Sequence, residues 1–245
     1  MKYILNSLFY IAPSQFHLDI IFFFAWFKKE IEYEIFYMNK LQKKRRVFID
    51  IGANEGTHSY FFSKRFQIVH AFEPIKEITE SLKNFRRKNI TVHNIGLSNE
   101  IKNIDLKTPV IEGKEIYGLS SIKNNFKGNF KKRRIPIKIL DNYNFKNVDL
   151  IKIDVEGNEY EVIQGAIKTI KRYKPNLIVE IEQRHSERNM KEIFDLIIKL
   201  GYRGFFLNGN SITNIKYFKY ETHQKPYLHL PQSNKYVNNF LFFKK

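Results

Sequence analysis

The chain has 245 residues, with 42 Lys and Arg against 25 Asp and Glu and a formal net charge of +17. Hydrophobic residues at 43% and charged residues at 27% form a globular balance that excludes wholesale disorder and suits one or two domains. With no Cys, a disulfide framework, a thiolate metal site, an Fe–S cluster and a cysteine nucleophile are excluded together.

A basic surface attracts polyanions without any motif, so nucleic acid, acidic lipid headgroups and anionic glycans would all be served by it. The same chain is rich in Lys, Asn, Ile, Phe and Tyr with only 11 Gly and 7 Pro, the drift expected of an AT-rich genome. Charge alone therefore selects no partner.

Two apolar bursts open the chain, residues 3–12 and 20–27, with Pro13, Ser14, Gln15, His17 and Asp19 between them. A spanning helix needs about 20 nearly uninterrupted apolar residues, which neither burst supplies. Only Lys2 precedes the first burst and no small-x-small cleavage site follows, so a secretory signal is not expected. Residues 1–46 read instead as a helical extension that ends in the basic run 43–46. Its apolar faces are expected to cover the main domain or a second subunit of a homodimer, with peripheral membrane contact as the alternative. The expected location is cytoplasmic, at most against the inner membrane surface.

From 47 to 245 the pattern becomes that of one α/β domain. Short apolar strands are predicted at 47–51, 69–72 and 90–95, with helices at 56–64 and 75–88 between them. Later strands fall at 150–155, 177–181, 204–207 and 237–242, with helices at 159–172 and 187–200. Strands too apolar to have a wet face, alternating with helices, predict a mostly parallel sheet covered on both faces. Residues 96–148 break the rhythm. They carry a strand-like piece at 135–140 and a basic, Asn-rich loop at 123–134, and read as an insertion over the sheet edge.

The first strand leaves through Asp50-Ile51-Gly52-Ala53-Asn54-Glu55-Gly56. A glycine turn there brings backbone N–H groups and a bare Cα to whatever docks at the strand's carboxyl end. The G-x-x-x-G spacing departs from the pyrophosphate fingerprint and no P-loop Lys follows, which disfavours dinucleotides and nucleoside triphosphates. An acid directly ahead of the turn suits a ligand with positive charge there, an ammonium or a sulfonium. Glu73, 23 positions beyond Asp50 (73 − 50), ends the second strand in Ala71-Phe72-Glu73-Pro74. Such a carboxylate accepts both hydroxyls of a ribose, or it serves as the acidic first turn of the helix that Pro74 begins. The company of Asp50 and Gly52 at one crevice favours the ribose.

The longest motif, Asp149-Leu150-Ile151-Lys152-Ile153-Asp154-Val155-Glu156-Gly157, carries an apolar strand into the core and releases two acids before Gly157 turns into the next helix. Those acids are either solvated helix caps or reacting groups at the edge where an open α/β sheet holds its ligand. The following strand reaches Glu180 and Glu182 and runs into Gln183-Arg184-His185.

The strings FIDIGANEG, AFEP, LDNYNFKNVDLIKIDVEG and PNLIVEIEQRH, in this order, resemble the FkbM family of S-adenosylmethionine-dependent methyltransferases over residues 47–245. IDVEG is the most specific of them. The resemblance implies a class I methyltransferase (Rossmann-like) α/β sheet, mostly parallel, whose antiparallel last strand residues 237–242 would supply. It also implies O-methylation, commonly of a sugar hydroxyl in a surface polysaccharide, glycolipid or secondary metabolite. By position, Asp50, Gly52, Asn54 and Gly56 would line the methionine and ribose side of S-adenosylmethionine and Glu73 would hold the ribose. Ser98 would lie where the adenine belongs, and Asp154 would border the cofactor.

Methyl transfer then asks the enzyme to align an acceptor oxygen and remove its proton. Asp154 is the first candidate for the base or for the group orienting the hydroxyl, with His185 second and Glu180 beside them. Asp154, Glu180 and Glu182 offer oxygens to Mg²⁺, or form a metal-free cluster that orients sugar hydroxyls. Lys127 and residues 131–134 are a solvated loop or a clamp on an anionic acceptor. An RNA or protein methyltransferase would share the cofactor half, but the Asn/Asp-Pro-Pro-aromatic string usual for nucleobase chemistry is replaced by IDVEG. A non-catalytic binding protein would also keep the fold, and the intact Asp50, Gly52, Glu73 and Asp154 set argues against it.

Overall fold

The computed structural model describes residues 33–84, 87–123, 128–186, 188–209, 211–230, 233 and 235–244. Both apolar bursts of the expected extension, and Lys127, lie outside the described residues. The described chain begins with α1 (Glu34–Leu41) and continues as β1 (Val47–Ile51), α2 (Thr57–Ser63), β2 (Ile68–Phe72), α3 (Lys76–Asn84) and β3 (Ile90–His93). Next come β4 (Gly96–Leu97), β5 (Lys102–Ile111), β6 (Lys114–Glu115) and β7 (Phe130–Lys138). The chain then runs through β8 (Val148–Ile153), α4 (Glu159–Gln164), α5 (Ile167–Tyr173), β9 (Asn176–Glu180) and α6 (Met190–Lys199). It finishes with β10 (Tyr202–Asn208), β11 (Ser211–Asn214), α7 (Tyr220–His223) and β12 (Asn239–Lys244).

Eight strands form the main sheet in the order β11-β10-β12-β9-β8-β1-β2-β3. β3, β2, β1, β8 and β9 pair in parallel, and β12 inserts antiparallel between β9 and β10. The expected mostly parallel sheet with an antiparallel last strand is therefore present. β11 adds an edge hairpin that the apolar pattern does not announce. Every position of β1 and β8 is buried, because helices cover both faces and leave no side for a polar alternation. Ile49, Ile51, Ile151, Ile153, Leu177 and Val179 face one helical layer with Ile163, Ile170, Ile193 and Ile197. Phe48, Leu150, Ile178 and Leu241 face the other with Ile35, Met38, Phe61 and Phe62.

Local chemistry sets the helix ends. α6 places Met190, Ile193, Phe194 and Ile197 inward at helical spacing, and the Asn189 side chain caps its start by accepting from Lys191 N. Gly201, at φ +93°, ends it. Truncating the fully buried Ile197 to Ala would cost about 2 to 5 kcal/mol. The helix expected at 159–172 is two helices that part at Gly165 and Ala166, and Gly165 passes so close to the Ser98 carbonyl that a Cβ would lie 2.1 Å from its oxygen. Just ahead of β1, Arg46 grips Asp149, the second residue of β8, with contacts of 2.9 and 2.6 Å to its two oxygens. That fork holds the Asp149 carboxyl below its usual range against its partial burial.

The stretch after β3 forms a second, four-stranded sheet in the order β4-β7-β5-β6. Residues 130–134, expected in a loop, belong to β7 and pair antiparallel with β5, Lys131 opposite Thr108 and Arg133 opposite Leu106. Alternation explains it: Leu106, Ile135 and Ile137 turn inward onto Ala53, Tyr60, Ile75 and Leu82. This small sheet leans over the carboxyl ends of β1, β2 and β8. No helix among the described residues is long and apolar enough to cross a membrane.

Candidate active site

A cleft with an empty volume of about 680 Å³ opens at the carboxyl ends of the parallel strands. Gly52, Asn54, Glu73, Asp154, Glu156 and Asn158 contribute its polar lining, and Phe72, Ile95, Leu97, Ile137 and Tyr117 part of its apolar walls. A mostly apolar concavity with a few converging polar groups is the usual form of a small-molecule site.

The turn after β1 is built on glycine. Gly52 sits at φ +76°, and a Cβ on it would fall 1.7 Å from the Asp154 backbone oxygen. Its N–H and that of Ala53 both donate to Phe72 O at 3.0 Å, which folds the turn onto the end of β2. Asn54 follows at φ +45°, and Gly56, at φ +82°, starts α2 against Leu82.

Glu73 is 5% exposed. Its Oε1 accepts from Ile75 N at 2.9 Å and its Oε2 from Asn54 N at 3.0 Å. Burial pushes its carboxyl up to about 7 against the pull of those amides, with the Asp154 charge adding to the rise. Each oxygen accepts one hydrogen bond from the protein and has capacity for a second, which a pair of ribose hydroxyls requires. Asp50 is placed differently. It is fully buried, its Oδ2 accepts from Ser59 at 2.6 Å and its Oδ1 has no hydrogen-bond partner. Strand alternation turns it with Phe48 toward α2, so it stands behind the cleft instead of lining it. Ser98 is likewise buried one residue beyond the lining Leu97, where Asn158 Nδ2 donates to its Oγ at 3.3 Å and to Leu97 O at 3.2 Å.

The exit of β8 supplies the other wall. Asp154 Oδ2 accepts from Lys152 Nζ at 2.7 Å. Glu156, at φ +53°, lies 2.5 Å from His185 Nδ1 through its Oε2. Burial raises the Glu156 carboxyl, while His185 is raised by its contact with Glu156 in spite of its own burial. The neighbouring Glu159 is pushed up to about 7 by burial, and its Oε1 accepts from Gly157 N at 3.0 Å, which pins the turn. Gly157 lets the backbone of His185 come this close, since a Cβ there would lie 2.2 Å from His185 O.

Glu180 and Glu182 belong to a neighbouring network. The Asn238 amide donates to both, Arg184 Nε donates to Glu182, and the Tyr236 hydroxyl donates to Glu182 at 2.5 Å. These partners, with His185, hold Glu182 below its usual range although burial opposes them. The Mg²⁺ alternative of Asp154, Glu180 and Glu182 is not assembled: Asp154 is turned to Lys152 and the other two to Asn238. Among the described residues, no group of three or more His, Cys, Asp or Glu side chains is gathered to hold a metal.

Of the residues singled out in the sequence, the cleft brings together Gly52, Asn54, Glu73 and Asp154, with His185 reaching it through Glu156. Sequence reasoning passed over Lys152, Glu156 as a site residue, and Asn158. Lys152 had a signal, a cation in the middle of a buried strand.

A family model described as the methyltransferase FkbM domain matches residues 50–204. Among solved structures, the FkbM methyltransferase of Methylobacillus flagellatus KT is similar at 15% identity and a TM-score of 0.55, covering 98% of this chain and 58% of that one. The chain thus spans 58% of the length of that relative. Precorrin-6y C5,15-methyltransferase of Geobacter metallireducens GS-15 aligns at 11% identity and a TM-score of 0.47, over 86% of this chain and 87% of that one. The Streptococcus mutans protein SMU.1697c, solved in complex with S-adenosylhomocysteine, aligns at 10% identity and 0.45, over 86% and 96%. A search of curated proteins finds no match. With the family model covering more than half of the sequence and the sheet order described above, the chain belongs to the FkbM family of S-adenosylmethionine-dependent methyltransferases and has the class I methyltransferase fold.

Proposed function

We propose that the protein transfers a methyl group from S-adenosylmethionine to a hydroxyl oxygen, with a sugar of a polysaccharide, glycolipid or secondary metabolite as acceptor. The observation that carries this reading is the convergence of Gly52, Glu73, Asp154 and Glu156 on one cleft. The cofactor fits the residues present. Glu73, beside the Gly52 turn, offers acceptors for two ribose hydroxyls, and Ile95, Leu97 and Ile137 form an apolar wall for a flat ring. When bound, the cofactor supplies an activated methyl group on a sulfonium.

The chain's own part is to orient a hydroxyl and hold its proton. Asp154, clasped by Lys152, orients the acceptor O–H. The Glu156–His185 pair, with both members raised, titrates as a unit and takes the proton. The small sheet shields this edge from water with Leu106, Tyr117 and Ile122. Lys131, Arg133 and Arg134 are paired with Glu115, Glu77 and Asp105. Three of the four cations of 131–134 thus meet acids of the protein itself.

Titration calorimetry with S-adenosylhomocysteine tests the cofactor half, and one saturable site is expected. Transfer of radiolabelled methyl to glycan and glycolipid fractions tests the acceptor half. Label that resists mild base and is released as an O-methyl sugar on acid hydrolysis supports it, and label confined to RNA or protein overturns it.

A further inference from the structure

We propose that Lys152 is a positioning residue of the cofactor cleft, whose buried ammonium ties the turn after β1 to the turn after β8 and offsets the negative charge gathered at the strand ends. The inference rests on the cofactor reading above. Lys152 is 3% exposed within a strand whose other positions are also buried. Taking an ammonium out of water costs several kcal/mol unless it is paired and hydrogen-bonded, so its partners reveal its use.

Nζ donates to Asp154 Oδ2 at 2.7 Å and to the Gly52 carbonyl at 3.3 Å. One group thus holds the first acid of the β8 exit and the backbone of the glycine cradle. The two turns touch directly as well, through Asp154 N to Ile51 O at 3.0 Å. Two more acids come from the β1 and β2 side of the sheet. Asp50 is its register partner on β1, with one carboxylate oxygen left without a hydrogen bond. Glu73, beyond β2, is pushed up by the Asp154 charge and drawn down by that of Lys152. Glu156 and Glu159 face Asp154 from the far side and are raised in part by its charge. Carboxylates this close cannot all ionise without a counter-charge. Lys152 supplies it at the point where Glu73 must be a carboxylate to accept two ribose hydroxyls.

Calorimetry with S-adenosylhomocysteine and the full chain, from pH 5.5 to 9, separates this role from a merely structural one. Wild-type affinity should rise with pH about a midpoint near 7, as Glu73 ionises. Lys152→Met should move that midpoint up by about one pH unit, with affinity at pH 9 returning to within about threefold of wild type. Asp154→Asn removes a like charge and should move the midpoint down. A Lys152→Met chain that binds more weakly at every pH with an unmoved midpoint overturns the proposal. If Lys152→Met does not fold, Asp154→Asn decides alone, and an unmoved midpoint there overturns it too. Absence of saturable binding by the wild type at every pH sinks the cofactor reading itself, a result distinct from either.

Discussion

The two ends of the main sheet's carboxyl edge handle their acids differently. Around β1, β2 and β8, Asp50, Glu73 and Asp154 are held by backbone amides, one hydroxyl and one lysine, with acceptor capacity left over. Around β9 and β12, Glu180 and Glu182 are answered by Asn238, Arg184, Tyr236 and His185. A carboxylate with spare lone pairs at a cleft is ready for a ligand, whereas one whose partners are all side chains of the same protein is part of the scaffold. The difference assigns binding to the parallel half and support to the antiparallel half, with the Glu156–His185 contact as the joint between them.

That division is broken most severely at Gly52. Gly52→Ala forces a Cβ into the Asp154 carbonyl in a backbone conformation that L residues avoid. The expected cost is about 3 kcal/mol, which lowers the melting temperature by about 6 to 12 °C in a domain of this size. Calorimetry with S-adenosylhomocysteine should find no binding in whatever folds. Glu73→Ala comes next. Affinity for S-adenosylhomocysteine at pH 8 should weaken by about 1.5 to 3 kcal/mol, the scale of hydrogen bonds to a charged group, and affinity within twofold of wild type would reject the ribose assignment.

Much of this half was legible in the sequence because its signals are local. Apolar runs marked the strands, and Gly52, Glu73 and Asp154 stand at their ends. Asp50 shows the limit of that reading: the string places it beside the turn, but the two-residue period of a strand sends its side chain toward Ser59 on α2. Residues 130–134 read as a loop because four successive cations hide a pleat in which Arg133 faces Thr108 and Ile135 enters the core. Tyr236 and Asn238 were not legible as partners of Glu182, although a last strand was expected at 237–242. They meet Glu182 only because β12 inserts beside β9, a pairing that no nearby residue encodes.

A sharper test of the binding half lies in its pH dependence. Glu73 and Glu159 both have folded-state values near 7 against about 4.5 in a free chain. Between those values the folded state holds protons that the unfolded state has released, so stability falls as pH rises from about 4.5 to about 7 and then levels. Glu159→Gln keeps the Oε1 acceptor for Gly157 N and removes the ionisation. Thermal melts should show it about 1 to 2 kcal/mol more stable than wild type at pH 8 and equal to it near pH 4.5. Equal curves at both would mean that water relieves the burial of Glu159.

The smallest effect belongs to the supporting half, and its smallness is the point. Tyr236→Phe deletes one donor to Glu182 and leaves Arg184, Asn238 and His185 in place. The lost hydrogen bond should cost about 0.5 to 1.5 kcal/mol in chemical denaturation at pH 7. Glu182 is held below its usual range, so its contribution is present above a free carboxylate's value and is lost as pH falls through the lowered one. Wild type and variant should therefore converge in strongly acidic solution. Affinity for S-adenosylhomocysteine should stay within twofold, because none of these groups lines the cleft. A tenfold loss of affinity in Tyr236→Phe would show instead that the network reaches the cofactor through His185 and Glu156, and the two halves would have to be treated as one site.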